Sequence, residues 1–95
     1  MVIGSDRGEK SMEVRLKYFA RYREMLNCEE ETLEVETDIS TNELTNLLAK
    51  RSENWAAVFI NNEKLLIAIN HSISHENVRL QHGDEVAFYP PVTGG

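Results

Sequence analysis

Along residues 13–19 the chain alternates: Val14, Leu16 and Tyr18 fall on one side, Glu13, Arg15 and Lys17 on the other. This two-residue period predicts a half-buried strand. Phe19 lands on the polar side, an apolar residue facing away from the expected core. The spacing then becomes helical over residues 20–26, with Tyr22, Met25 and Leu26 on one stripe, and Asn27 suits a left-handed stop. Alternation returns over residues 32–36, with Leu33 and Val35 inward and Glu34 and Glu36 outward. Ser40-Thr41-Asn42-Glu43 reads as a capping box, with reciprocal bonds between Ser40 and Glu43. The main helix it opens is expected over residues 41–52, burying Leu44, Leu47, Leu48 and the stem of Arg51.

Residues 54–60 fit either a short helix or a strand, with Trp55, Val58 and Ile60 expected in the core. Asn61-Asn62 marks a turn. The apolar run Leu65-Leu66-Ile67-Ala68-Ile69 predicts a strand that is central or covered on both faces. Asn70-His71-Ser72 turns the chain, and Ile73 stands isolated among polar residues. Leu80 anchors the approach to a last strand at residues 85–89, where Val86 and Phe88 point inward and Ala87 and Tyr89 outward. Pro90 ends it, because proline cannot donate to a sheet ladder. The element order predicts an α+β fold: a mixed sheet in a β-grasp, ubiquitin-like roll, with one main helix on one face and a flexible C-terminal tail. The final strand is expected at the centre of that sheet.

Ninety-five residues make one domain. Residues 1–12 are expected to be a flexible leader or expression remnant, residues 13–95 the domain, and residues 90–95 its tail. A formal charge of −6 argues against nucleic acid, whose phosphates need a basic face. The acidic run Glu29, Glu30, Glu31, Glu34, Glu36 and Asp38 is expected to be a solvated strand face and turn. No apolar run is long enough to span a bilayer and no signal-peptide pattern opens the chain, so a cytoplasmic protein is expected. Cys28 is the only cysteine, which fits a reducing compartment, and nothing beside it in sequence activates the thiol. His71 and His75 have a spacing that can bind zinc but lack a second ligand pair, so no metal site is expected. No phosphate loop or nucleophile–base set stands out, and the chain is not expected to be an enzyme alone.

The remaining chemistry lies at the end. Gly94-Gly95 carries no Cβ and fits a narrow channel, while Pro90 and Pro91 favour an extended stem. With glycine at about 7% of residues, a terminal pair arises by chance in about 0.5% of chains, which disfavours an idle frayed tail. A stiff stem, a slim tip and a terminal carboxylate suit delivery of that carboxylate to another protein's active site.

The run Leu80-Gln81-His82-Gly83-Asp84-Glu85-Val86-Ala87-Phe88-Tyr89-Pro90-Pro91-Val92-Thr93-Gly94-Gly95 resembles the C-terminus of the small, sulfur-carrier subunits of molybdopterin synthase (the MoaD type). Val14-Arg15-Leu16-Lys17-Tyr18-Phe19-Ala20-Arg21-Tyr22-Arg23-Glu24 resembles that family's first strand and helix, and Lys64-Leu65-Leu66-Ile67-Ala68-Ile69-Asn70 its middle strand. The resemblance implies that an activating enzyme uses ATP to adenylate the Gly95 carboxylate. Sulfur from a persulfide donor then displaces AMP and leaves a thiocarboxylate. It also implies that Pro91, Val92, Thr93 and Gly94 line the tail's path into a large catalytic subunit, in a heterotetramer, where two deliveries build the dithiolene of molybdopterin. No bound cofactor is implied for this chain. Phe19, Ile73 and Tyr89 correspond to a hydrophobic patch that docks on both partners, with Tyr89 where the family is expected to carry phenylalanine. Three rivals stay open: a thiamine-type sulfur carrier, a ubiquitin-like modifier, and a plain interaction module.

Overall fold

The computed structural model describes residues 11–91. The expected tail residues Val92, Thr93 and Gly94 and the expected carrier Gly95 lie outside the described residues, as do residues 1–10. In chain order the elements are β1 (Ser11–Tyr18), α1 (Ala20–Leu26), β2 (Glu30–Glu36), α2 (Thr41–Ala49), α3 (Glu53–Phe59), β3 (Leu66–Ile69), β4 (Ser72–Ile73) and β5 (Glu85–Tyr89). The strands form one sheet in the order β2-β1-β5-β3-β4. β1 and β5 run parallel and the other pairs antiparallel, so the sheet is mixed and the last strand is central.

The alternation of β1 sets the core. Val14, Leu16 and Tyr18 are buried, and register aligns Leu16 with Val86 and Tyr18 with Phe88 on the same face. Over this face lie Tyr22 and Leu26 of α1, Leu44, Leu48 and Ala49 of α2, and Val58 and Phe59 of α3, in one continuous cluster. Aromatic rings tie it together: Tyr18 stacks on Phe88 at 5.6 Å, and Phe59 meets Phe88 edge-on at 4.9 Å.

Several expectations are corrected. β1 begins at Ser11 rather than residue 13, because Met12 pairs with Val35 and is buried in the core. α2 stops at Ala49 rather than Ser52: the Ser52 hydroxyl accepts from the Trp55 amide and opens a third helix. The ambiguous segment is therefore helical up to Phe59, with Ile60 extended beyond it. Leu47, Met25 and Ile60 are exposed, since each lies beside rather than on the strip of its segment that faces the sheet. β3 is second from the edge and half-buried apart from Ala68, rather than covered on both faces. Glu31 leaves the expected solvated run, because it pairs in register with Leu16 and shares its inward face.

Candidate functional site

β5 delivers the chain to the candidate site. Its inward residues, Val86 and Phe88, are fully buried, so the strand is fixed up to Tyr89. The end of β1 is joined to it: the Phe19 amide donates to the Phe88 carbonyl at 3.0 Å. Phe19 is extended and Ala20 has φ 55, a left-handed conformation that costs an alanine about 1–2 kcal/mol. This turn starts α1 away from the sheet and leaves Phe19 outside the core. Its ring meets Tyr89 edge-on at a centroid distance of 5.9 Å. Phe19, Ala20, Tyr89, Pro90 and Pro91 line an open apolar groove of about 430 Å³ at the base of the tail.

The face of the sheet opposite the helices continues this surface. Register pairs Tyr89 with Leu66, Ala87 with Ala68, and Ala68 with Ile73. Cross-strand partners share a face, so Tyr89, Leu66, Ala87, Ala68 and Ile73 form one apolar strip, with Ile73 about 10 Å from Ala87 across two strand spacings. The structure therefore places all three residues expected for docking, Phe19, Ile73 and Tyr89, on one continuous side. Phe19 and Ile73 are each 44% exposed, so neither belongs to the core. Pro91 lines the groove as well.

Leu66, Ala68 and Ala87 complete this face, the two alanines themselves buried; the sequence pattern points Ala87 outward but does not single out Leu66 or Ala68. Part of the signal was present: in an apolar run of strand, alternate residues take opposite faces, so Leu66 and Ala68 cannot share one with Ile67 and Ile69. Ile73 is held by a two-residue hairpin in which Asn70 and His71 both have positive φ, the requirement of a tight primed turn. The strip ends in polar groups. Glu85 lies 3.6 Å from the Lys17 ammonium and 3.7 Å from His71 Nε2. Among the described residues no group of three or more His, Cys, Asp or Glu could hold a metal ion.

The titratable network lies on the core side. Arg51 donates to both Glu31 oxygens at 2.8 and 3.1 Å, and the Tyr18 hydroxyl donates to Glu31 Oε2 at 2.8 Å. The Arg51 guanidinium also lies 4.4 Å from the Trp55 ring centroid. Burial alone would raise the Glu31 carboxyl, but the hydrogen bonds from Arg51 and Tyr18 hold it below its ordinary value. Burial, then the Glu31 charge, pushes the Cys28 thiol up, which disfavours the thiolate a nucleophile needs. Cys28 belongs to this structural cluster and lies apart from the groove at the tail base.

A family model described as the ThiS family matches residues 16–95. The molybdopterin synthase sulfur carrier subunit of Escherichia coli (strain K12) is 39% identical over 83 residues, covering 86% of this chain and 99% of that protein. The protein of the same description from Haemophilus influenzae is 37% identical over 79 residues, covering 82% of this chain and 94% of its own. Among solved structures, a putative molybdopterin converting factor, subunit 1, from Pyrococcus furiosus superposes with a TM-score of 0.73 at 28% identity, covering 85% of this chain and 99% of that one. The small archaeal modifier protein 1 of Haloferax volcanii shares the fold, with a TM-score of 0.73 at 20% identity and the same coverage of 85% and 99%. The architecture is the β-grasp, ubiquitin-like roll that the element order predicts.

Proposed function

The chain belongs to the ThiS family, and from that membership we propose that it is a sulfur carrier in molybdenum-cofactor biosynthesis, the small subunit of a molybdopterin synthase. One observation carries the reading: the central strand runs straight into Tyr89-Pro90-Pro91 beside an apolar groove, and the sequence continues from there to Gly94-Gly95. A rigid base under a glycine tip suits handing a terminal carboxylate to other proteins. The names of the E. coli and H. influenzae relatives support the same role.

In this proposal a cytoplasmic activating enzyme adenylates Gly95 with ATP, converting a poor electrophile into a mixed anhydride. The outer sulfur of a donor persulfide displaces AMP, a thiol then reduces the acyl disulfide so formed, and Gly95 is left carrying a thiocarboxylate. The large subunit then takes the tail along Pro91, Val92, Thr93 and Gly94 and supplies the cationic groups and acid–base chemistry. Phe19, Ile73 and Tyr89 serve as docking anchors for both partners, since exposed aromatic and aliphatic side chains beside a tail suit a reused interface.

Intact-mass analysis tests the chemistry. After incubation with an active activating enzyme, ATP and a sulfur donor, one oxygen of the chain is expected to be exchanged for sulfur at Gly95. An unchanged mass with an enzyme that thiocarboxylates a known carrier would overturn the proposal. Deleting Gly94 and Gly95 is expected to abolish sulfur transfer while the thermal unfolding curve stays in place. Ladders of conjugates from a tagged full chain would make the protein a modifier instead.

A further inference from the structure

The outer edge of the sheet offers a second surface, away from the tail. β2 is the terminal strand of the sheet, and among the described residues only β1 pairs with it. Antiparallel pairs alternate in which residues direct their main chain at the partner. The Tyr18 amide donates to the Glu29 carbonyl, so Glu31, Leu33 and Val35 also face β1. The main-chain groups of Thr32 and Glu34 therefore face the open edge. Beside the edge, between β2 and α2, runs an open groove of about 620 Å³. Val35, Ile39 and Leu47 supply its apolar lining, and Leu47 is 44% exposed, although helical spacing would bury it. Glu34, Glu36 and Glu43 surround them, with Lys50 the one cation among the lining residues described.

Open main-chain donors and acceptors, apolar contacts alongside and a carboxylate-rich rim are complementary to one kind of occupant. We propose that the edge of β2 and the groove beside it take up an extended segment of a partner protein, with apolar residues at alternate positions and Lys or Arg on its flanks. The segment adds a strand to the sheet: its main chain bonds Thr32 and Glu34, alternate side chains rest on Leu47 and Ile39, and its cations meet Glu36 and Glu43. A second copy of this chain is the wrong occupant, because its own edge would bring Glu30, Glu34 and Glu36 against the same carboxylates. β2 and β4 stand at opposite edges of the sheet, so a strand added here leaves the strip from Tyr89 to Ile73 uncovered. The inference is independent of sulfur transfer.

The test is an NMR titration of the full ¹⁵N-labelled chain with a capped peptide, Lys-Arg-Val-Thr-Val-Ile-Val-Lys-Arg. Binding is expected to shift the Thr32 and Glu34 amides and slow their hydrogen exchange, with the Phe19 and Tyr89 signals unmoved. Glu36→Lys combined with Leu47→Ser is expected to weaken binding about tenfold or more, the β5 amides reporting that the fold is intact. A peptide N-methylated at alternate positions is expected not to bind, because it cannot form the ladder. Four results would overturn the proposal: no shifts at millimolar peptide; shifts confined to Phe19 and Tyr89; equal binding by the N-methylated peptide; or equal binding by a peptide with glutamates for its cations. Shifts at Thr32 and Glu34 on removing residues 1–10, or on raising protein concentration alone, would overturn it as well. They would assign the edge to the chain's own N-terminal segment or to a second copy.

Discussion

Glu31 points inward from an edge strand, where a carboxylate must recover by hydrogen bonding what it loses in hydration. Arg51 grips both its oxygens and Tyr18 donates to one, joining β2 to β1 and to the segment between α2 and α3. The group's side chain is 23% exposed, so the pair is worth more than a surface ion pair and less than a fully buried one. Its carboxyl is held below its ordinary value, so the stability it contributes is present above the unfolded-state value and is lost as pH falls through the folded-state one. Glu31→Gln is therefore expected to cost about 1–2 kcal/mol at neutral pH and to flatten the acid limb of the stability profile. Urea denaturation between neutral and acid pH checks this; an acid limb as steep as that of the parent chain would show that other carboxylates set it. The network was illegible in the sequence for a physical reason. Glu31 and Arg51 are twenty positions apart, and nothing in an acidic run marks which carboxylate a strand turns inward.

Local chemistry did mark the elements, where it was read. The capping box of α2 is present in both directions: the Glu43 amide donates to Ser40 Oγ at 3.1 Å and the Ser40 amide donates to Glu43 Oε1 at 2.9 Å. Ser40→Ala is expected to cost about 1 kcal/mol, read as a fall of about 4–8 °C in Tm for a domain of this size. An unchanged Tm would mean that the tie between Ser40 and Arg79 holds the helix start without the hydroxyl. The same kind of signal recurs one helix later: Ser52 before Glu53 is an N-cap, so α2 ends three residues short of the expected Ser52. The inward face of β5 was legible because Val86 and Phe88 alternate with Ala87 and Tyr89, and the register with β1 puts them beside Leu16 and Tyr18. The standing of β3 was not, because an apolar run looks the same whether its second face meets a core or waits at a surface. Alternation separates Leu66 and Ala68 from Ile67 and Ile69, but only the register with β5 and β4 shows which pair lies on the outer strip.

At the scale of the molecule, the sheet has an inner face that builds the core and an outer face that carries an apolar strip, and substitutions on each separate their contributions. The inner face closes on three helices and holds the fold. Phe88 there is fully buried against Tyr18 and Phe59, so Phe88→Ala is expected to cost about 3–5 kcal/mol, a large part of the stability of a domain this small. The outer face closes on nothing within the described residues. Ile73→Asp there is expected to change stability by less than about 1 kcal/mol. Phe19→Asp is expected to cost about 1 kcal/mol more, through loss of the edge-on contact with Tyr89. If the outer face docks the catalytic and activating partners, each aspartate is expected to weaken that binding about tenfold or more, because a desolvated carboxylate would face an apolar surface. Calorimetric titration with the large subunit and urea denaturation of the same samples measure the two effects separately. Loss of binding with the fold retained assigns the strip to docking, whereas Ile73→Asp unfolding the chain as Phe88→Ala does would return Ile73 to the core. Binding and stability both unchanged would leave the apolar strip without a docking role and confine recognition to the tail.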